Sequence, residues 1–379
     1  MVVTNYDVIV LGLGGMGSAT LYHLAKRGIR VCGVEQFGIA HDKGSSHGVT
    51  RMIRKAYFEH PDYIPLVNRA YELWRELEAE SGAKLLVQSG LLLSGKPDSG
   101  LIRGLESCYR VHSLPHERLD APEAMKRFPQ FTLPEDHAVY WDPEGGYLRV
   151  EGCVDKHVQM AQKHGADVLI HEDVLGWRSD KDGVSITTTK RELHASKLVL
   201  TAGAWTTSSF VELLVPLRIL RKVQFWYTSP NIAEYQAGTL PAYYVEQAYG
   251  SFYGFPAIND QGMKVAEHSG GEPVDDPDEL DRGLHPHDED GVLRFLGDVF
   301  PSAQPERSRF SVCMYSMTAD EHFIIDRHPR HPNVVIAGGF SGHGFKFASV
   351  IGEVLTDITL TGTTAHPIGF LSLGRFTSF

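Results

Sequence analysis

The stretch from Tyr6 to Glu35 leaves this chain few folds to choose from. Val8 to Leu11 is an unbroken apolar run, the pattern of a strand buried on both faces. Gly12, Gly14 and Gly17 follow at GxGxxG spacing. Ser18 to Arg27 reads as a helix ended by Gly28, and Ile29 to Glu35 as a second apolar strand. Each part has a physical job. Gly12 permits the tight turn, Gly14 lets a pyrophosphate approach the backbone, and Gly17 lets the helix pack close on the strand. The free N–H groups at the helix start face the phosphates. Glu35, about 20 residues past the glycines, stands where an acidic side chain binds ribose hydroxyls and disfavours a 2′-phosphate. Strand, glycines, helix and acid in this order predict a dinucleotide-binding βαβ unit. The alternative is an ordinary βαβ unit with a Gly-rich turn, and the stretch does not decide between nicotinamide and flavin.

At 379 residues, the chain can bury a large core and is expected to divide into two domains. Its net charge of −11 argues against nucleic acid, whose phosphates need a basic surface. No apolar run reaches the ~18 residues of a membrane span, so no membrane partner is expected. The N-terminus runs directly into a strand and reads as lacking a signal peptide, and the final Thr-Ser-Phe is no peroxisomal address. The four cysteines, Cys32, Cys108, Cys153 and Cys313, are far apart with no CxxC pair. That argues against disulfides and a metal site, and for a cytoplasmic protein.

Further along, Pro61 to Ser81 is an amphipathic helix and Leu85 to Leu93 a strand, followed by a mixed, proline-broken region to about 140. Val150 to His164 is a helix. Strands follow at Ala166–His171, Val174–Thr189 and Lys197–Thr201, the last running into small residues including Gly203 that permit close approach of a nucleotide. Residues 216 to 310 are aromatic-rich, with strands Val223–Tyr227 and Tyr249–Phe255 and an acidic stretch at 272–290. Val334 begins another glycine-ended strand, and Ala348 to Leu360 is a helix. The expected class is α/β (α+β over the whole chain): a Rossmann-like nucleotide domain built from 1–84, 146–215 and 311–379, and a second, antiparallel-sheet substrate domain from 85–145 and 216–310. A ligand pocket is expected between them.

Five motifs stand in one order along the chain. They are Gly44-Ser-Ser-His-Gly-Val-Thr-Arg-Met-Ile-Arg54, Tyr253-Gly-Phe-Pro256, Lys264-Val-Ala-Glu-His268, Ser311-Val-Cys-Met-Tyr-Ser-Met-Thr318 and Gly339-Phe-Ser-Gly-His-Gly-Phe-Lys-Phe347. With the N-terminal unit they resemble the monomeric sarcosine oxidase family of flavoprotein amine oxidases, which includes N-methyltryptophan oxidase. The resemblance implies FAD, attached at Cys313 by a cysteinyl thioether; the bond needs a thiolate, favoured by nearby cations or hydrogen bonds. Without it, Cys313 reads as a core thiol. The resemblance further implies that Arg54 and Lys346 grip a substrate carboxylate, a task suited to a planar fork and a point charge. Ser45, His47, Arg51, Gly342 and Gly344, with Lys346, would line the flavin. Lys264 would approach it through water and assist reaction with oxygen, and His268 would lie near the substrate amine. Tyr253 and Tyr315 would be pocket aromatics. The first motif departs from the family's usual Gly-Ser-His-His-Gly-Asp-Thr-Arg: Ser46 and Val49 stand for a His and an Asp.

The activity this implies is oxidation of the secondary amine of an N-methyl amino acid to an imine, with oxygen reduced to hydrogen peroxide by a monomer. Alternatives are a dehydrogenase of the same fold with another electron acceptor, and an oxidase of a bulkier amine such as N-methyltryptophan, pipecolate or a fructosyl amino acid. A nucleotide-binding module without turnover and an NAD-dependent enzyme rank lower. Pocket size is expected to be set within 216–260, a region rich in aromatics such as Phe225, Trp226, Tyr243 and Tyr244, and the sequence does not say which of them point inward.

Overall fold

The computed structural model describes residues 4–206, 215 and 217–376. Position 216, where one domain boundary is expected, and Thr377-Ser378-Phe379 lie outside them. The strand Thr4–Leu11 occupies the middle of a sheet that has eight strands among the described residues. It pairs in parallel with Glu192–Leu200 on one side and Val31–Val34 on the other. Asp167–Leu169 continues the sheet beyond Val31–Val34, and His331–Gly338 pairs in parallel with the end of Glu192–Leu200. Val174–Asp180 and Gly183–Thr188 form an antiparallel extension at the other edge. A strand flanked on both sides and covered on both faces has no polar face to show, which is why Val8 to Leu11 carries no alternation.

The helix Gly15–Lys26 lies on this sheet and is buried from Gly15 through Ala25. Two close approaches explain its small residues. A Cβ on Gly17 would fall 1.8 Å from the carbonyl oxygen of Gly12, and one on Gly352 would fall 2.6 Å from Ala19. Gly352 belongs to the helix Ala348–Thr361, which packs across Gly15–Lys26, as does Val150–Lys163.

The second sheet runs Glu272–Val274, Arg218–Thr228, Met263–Glu267, Gly250–Phe255, Ala242–Gln247, Leu91–Gly95, Ala138–Asp142, Glu117–Asp120. Its pairs are antiparallel apart from Ala242–Gln247 with Leu91–Gly95. The long strand Glu306–Met317 lies antiparallel along Arg218–Thr228 and sets Cys313 opposite Lys222. Thr50–Ile53, Gly146–Arg149 and Leu86–Val87 form a small third sheet.

Several expected elements are longer, shorter or divided. The strand expected at Leu85–Leu93 is two, Leu86–Val87 and Leu91–Gly95. Gly90 between them has φ +73°, and a Cβ there would collide with the Trp141 ring at 1.8 Å. Val174–Thr189 is a hairpin turning at residues 181–182, and the proline-broken region contains two helices, Gly100–His112 and Ala121–Arg127. The second helix begins with a capping box of Asp120 and Glu123, a signal present in the sequence.

Candidate active site

The parallel strands end together. Leu11, Val34, Leu200 and Gly338, the last residues of their strands, all line one cavity of about 970 Å³. Ligand crevices in such sheets open at the carboxyl ends of the strands, and this volume is at the top of the ~300–1,000 Å³ range of ligand pockets. Gly12, Gly14 and Gly15 form its floor at the start of the helix Gly15–Lys26. Ser46 takes the place of the expected histidine, and its hydroxyl accepts the Gly15 N–H at 3.0 Å.

Glu35 lines the same cavity, with its carboxylate fixed by the N–H groups of Leu13 at 2.8 Å and Phe37 at 3.0 Å and by His41 at 3.4 Å. Burial opposes ionisation, yet His41 and the two amides hold the carboxyl below its usual range. Gly203, Gly342, Gly344, Ser45 and Arg51 also line the cavity. Gly342 is required there, since a Cβ would meet the Tyr315 ring at 2.4 Å. Open glycines at a helix start, an anchored acid on the next strand and a cavity of this size fit a dinucleotide such as FAD.

Where the large cavity meets the second sheet, the cations gather. Arg51 donates to the carbonyls of Thr50 and Ser45, both at 2.9 Å, and its Nη2 lies 3.5 Å from Cys313 Sγ. A cation thus stands beside the thiol, an arrangement that favours a thiolate. His47 lines neither cavity; burial, then Arg51 and Lys264, push it down to about 3, and its Nε2 has no partner. Lys264 is 2% exposed and lies between the Trp226 and Phe255 rings at 5.3 and 5.5 Å. Its ammonium donates to the carbonyls of Gly48 and Thr50, so it stands beneath this loop rather than on either cavity wall. Burial and then Arg51 press its pKa well below the ordinary lysine value.

A second cavity, about 60 Å³, is lined by Arg51, Arg54, Phe58, Glu59, Tyr244, Tyr253, His268, Tyr315 and Lys346. Arg51 and Tyr315 are common to both cavities, so the two adjoin. Arg51, Arg54, Tyr253, His268, Tyr315 and Lys346 therefore converge, although they come from the first loop, the second sheet and the segment before the C-terminal helix, whereas His47 and Lys264 line neither cavity. Arg54 is 3% exposed, stacks on Phe58 at 4.0 Å and gives Nη2 to both oxygens of Glu59 at 2.7 and 2.9 Å. Its Nε has no acceptor. Glu59 feels burial, which raises its pKa, but Arg54, His343 and Lys346 outweigh this and bring it down to about 2. Lys346, buried beside Arg54, falls to about 7 and donates to the His343 carbonyl at 2.6 Å. His268 Nδ1 lies 3.2 Å from the Tyr315 hydroxyl; burial and then Lys222 take it down to about 3, so the ring is neutral near pH 7. Burial raises Tyr253 and Tyr315, which stay protonated.

Among the residues at or beside the site that the sequence reading did not name are Glu59, Phe58 and Glu151. Glu59 stands five residues after Arg54, a spacing that could have suggested the pair. Phe58 and Glu151 carry no local signal; the latter touches the loop only through the fold. Among the described residues, Glu272, His285 and Asp288 form a grouping with metal-ligand chemistry, but it surrounds the Arg221 guanidinium, which already donates to both carboxylates. No helix among the described residues is long and apolar enough to cross a membrane.

Comparison with known proteins gives the same picture. The FAD dependent oxidoreductase (DAO) family matches residues 7–358. The monomeric sarcosine oxidase of Streptomyces avermitilis is 42% identical over 376 residues, covering 98% of each chain. The N-methyl-L-tryptophan oxidase of Citrobacter koseri is 34% identical, covering 98% of this chain and 100% of its own. Among solved structures, NikD, an unusual amino acid oxidase essential for nikkomycin biosynthesis, superposes with a TM-score of 0.85 at 26% identity, over 97% of both chains. The nucleotide cavity, the adjoining cation-lined pocket and these full-length matches together place the chain in the FAD-dependent oxidoreductase family, among the relatives of the monomeric sarcosine and N-methyltryptophan oxidases.

Proposed function

We propose that the chain oxidises the secondary amine of a small N-methyl amino acid, sarcosine or a close analogue, to an imine, with FAD joined to Cys313 and oxygen reduced to hydrogen peroxide. The observation that carries this reading is the small cavity in which Arg54 and Lys346 adjoin Tyr253, His268 and Tyr315 at the edge of the nucleotide cavity. When bound, FAD supplies the redox chemistry, taking two reducing equivalents and passing them to oxygen.

The chain's own groups bind and orient. Arg54 has a buried Nε without an acceptor, and Lys346 adds a second charge, so a carboxylate entering here finds donors in place. Seating the carboxylate sets the amine and its carbon against Tyr253, Tyr315 and His268. An ammonium has no lone pair to give, so the neutral amine must react; burial beside two cations favours loss of its proton. Neutral His268 hydrogen-bonds the amine, and Lys264 acts on oxygen from beneath the Gly48–Thr50 loop, its charge restored by the negative charge that reduction brings nearby. The small volume of this pocket, about 60 Å³, supports a small amino acid over a bulkier amine.

The division into nucleotide segments 1–84, 146–215 and 311–379 and substrate segments 85–145 and 216–310 belongs to this reading, as does a monomer in the cytoplasm. Two sheets support the first; Glu306–Met317, which straddles the boundary at 310/311, pairs along its length with Arg218–Thr228 in the second sheet. The relatives' name and four unpaired, buried cysteines support the second. The test is a panel of sarcosine, N-methyltryptophan, pipecolate and a fructosyl amino acid, scored by bleaching of the yellow protein without oxygen and by peroxide in air. Sarcosine should bleach it fastest and yield peroxide. A colourless protein, or one that no secondary amine bleaches, overturns the reading.

A further inference from the structure

The turn Gly48–Val49–Thr50 is held in a shape its sequence resists. Val49 has φ +69°, in the left-handed region that a β-branched side chain avoids because its Cβ crowds the backbone. Gly48, at φ +94°, also leaves no room for a side chain, since a Cβ would fall 2.3 Å from Gln224 Oε1. A carboxylate and a buried lysine supply the restraint. Glu151, in the first turn of the helix Val150–Lys163, accepts the Gly48 N–H at 2.7 Å and the Val49 N–H at 3.0 and 3.1 Å. Lys264 donates to the Gly48 and Thr50 carbonyls at 2.6 and 3.0 Å. The Thr50 carbonyl also accepts from Arg51 Nη1 at 2.9 Å, and Arg51 Nη2 reaches Cys313 Sγ at 3.5 Å.

We propose that Glu151 is a positioning residue: by holding the strained turn it sets the Lys264 ammonium and places the Arg51 guanidinium at Cys313. Glu151 lines neither cavity; it holds the turn, and its charge also adds to the field at Arg51 and Lys264. Its charge also suits the start of its helix. Without the carboxylate, two amides lose their shared acceptor and Val49 relaxes to negative φ. The Thr50 carbonyl then swings away from Lys264 and Arg51 together. The inference rests on the proposed function in one respect, that Cys313 and Lys264 serve the flavin.

The experiment compares holoenzymes of the wild type, Glu151→Ala, Glu151→Gln and each combined with Val49→Gly. Three quantities are read: the fraction of colour surviving acid precipitation, the rate of reoxidation in air after dithionite reduction, and the rate of anaerobic bleaching by sarcosine. In E151A the acid-stable fraction should fall about threefold and reoxidation about tenfold, with bleaching within about twofold of wild type. E151Q, with one acceptor oxygen for two amides, should fall between. Val49→Gly should restore much of both losses, because glycine takes positive φ without strain; it cannot restore a lost helix charge or a lost packing contact. E151A or E151Q with wild-type colour retention and reoxidation overturns the proposal, as does a loss that Val49→Gly leaves untouched. Should E151A fail to fold, E151Q and its Val49→Gly partner decide it. A wild type lacking acid-stable colour or bleaching counts against the proposed function instead, and the dithionite experiment, needing neither, still decides the role of Glu151.

Discussion

Replacing Glu59 by Gln separates stability from ligand binding at one residue. Glu59 spans both oxygens onto Arg54 and is brought from 4.5 down to about 2 in the folded chain. At 1.36 kcal/mol per tenfold, the interval amounts to at most about 3 kcal/mol of stability at pH 7. The sign follows from the direction. A carboxyl with a depressed folded value contributes fully above its unfolded value near 4.5 and loses that contribution as the pH falls toward 2. E59Q should therefore melt about 3–6 °C below the wild type at pH 7, taking ~1–2 °C per kcal/mol for a chain of this size. At pH 3.5 the gap should shrink toward about 2 kcal/mol. Carboxylate affinity should move the other way. A ligand that claims Arg54 must displace Glu59, and a neutral Gln holds the guanidinium with roughly half the strength. The gain of about 1.5 kcal/mol is roughly tenfold in Kd, read by titrating the visible spectrum with a simple carboxylate such as propionate. Unchanged melting at pH 7, or weaker propionate binding in E59Q, would refute the assignment of Arg54 as a carboxylate seat guarded by Glu59.

Other residues give sharper single readings. Lys264→Met should slow reoxidation of the reduced protein in air by about tenfold or more, on the scale of a lost transition-state charge, while sarcosine still bleaches it without oxygen; wild-type reoxidation removes the role given to this lysine. Cys313→Ser should bind flavin that is released entirely by acid precipitation, and retained colour would place the attachment elsewhere. Lys346, at about 7, is charged below that pH and neutral above it. Propionate affinity should therefore fall about tenfold per pH unit above 7, following the charged fraction, and a flat profile to pH 9 would show that Lys346 does not hold the carboxylate.

The N-terminal unit was legible because its signals are local. An apolar run, three glycines and an acid stand at fixed offsets within one βαβ turn; Gly12 and Gly17 make the close approaches their spacing predicts, and Glu35 is anchored at the cavity by the Leu13 N–H. Arg54, Lys346, Lys264, His268 and Cys313 could be named from motifs, yet nothing local says that they meet. Their meeting depends on Glu306–Met317 running along Arg218–Thr228 and on the Gly48–Thr50 turn lying against Lys264 of the second sheet. Partners were beyond reach for the same reason. Glu151 lies about a hundred residues from the amides it holds, Lys264 more than two hundred from the carbonyls it grips, and Gly90 was a break only because Trp141 stands over it. Sequence fixes what a residue can donate, accept or fit; which group it faces is set by chain segments that come together only when the core closes.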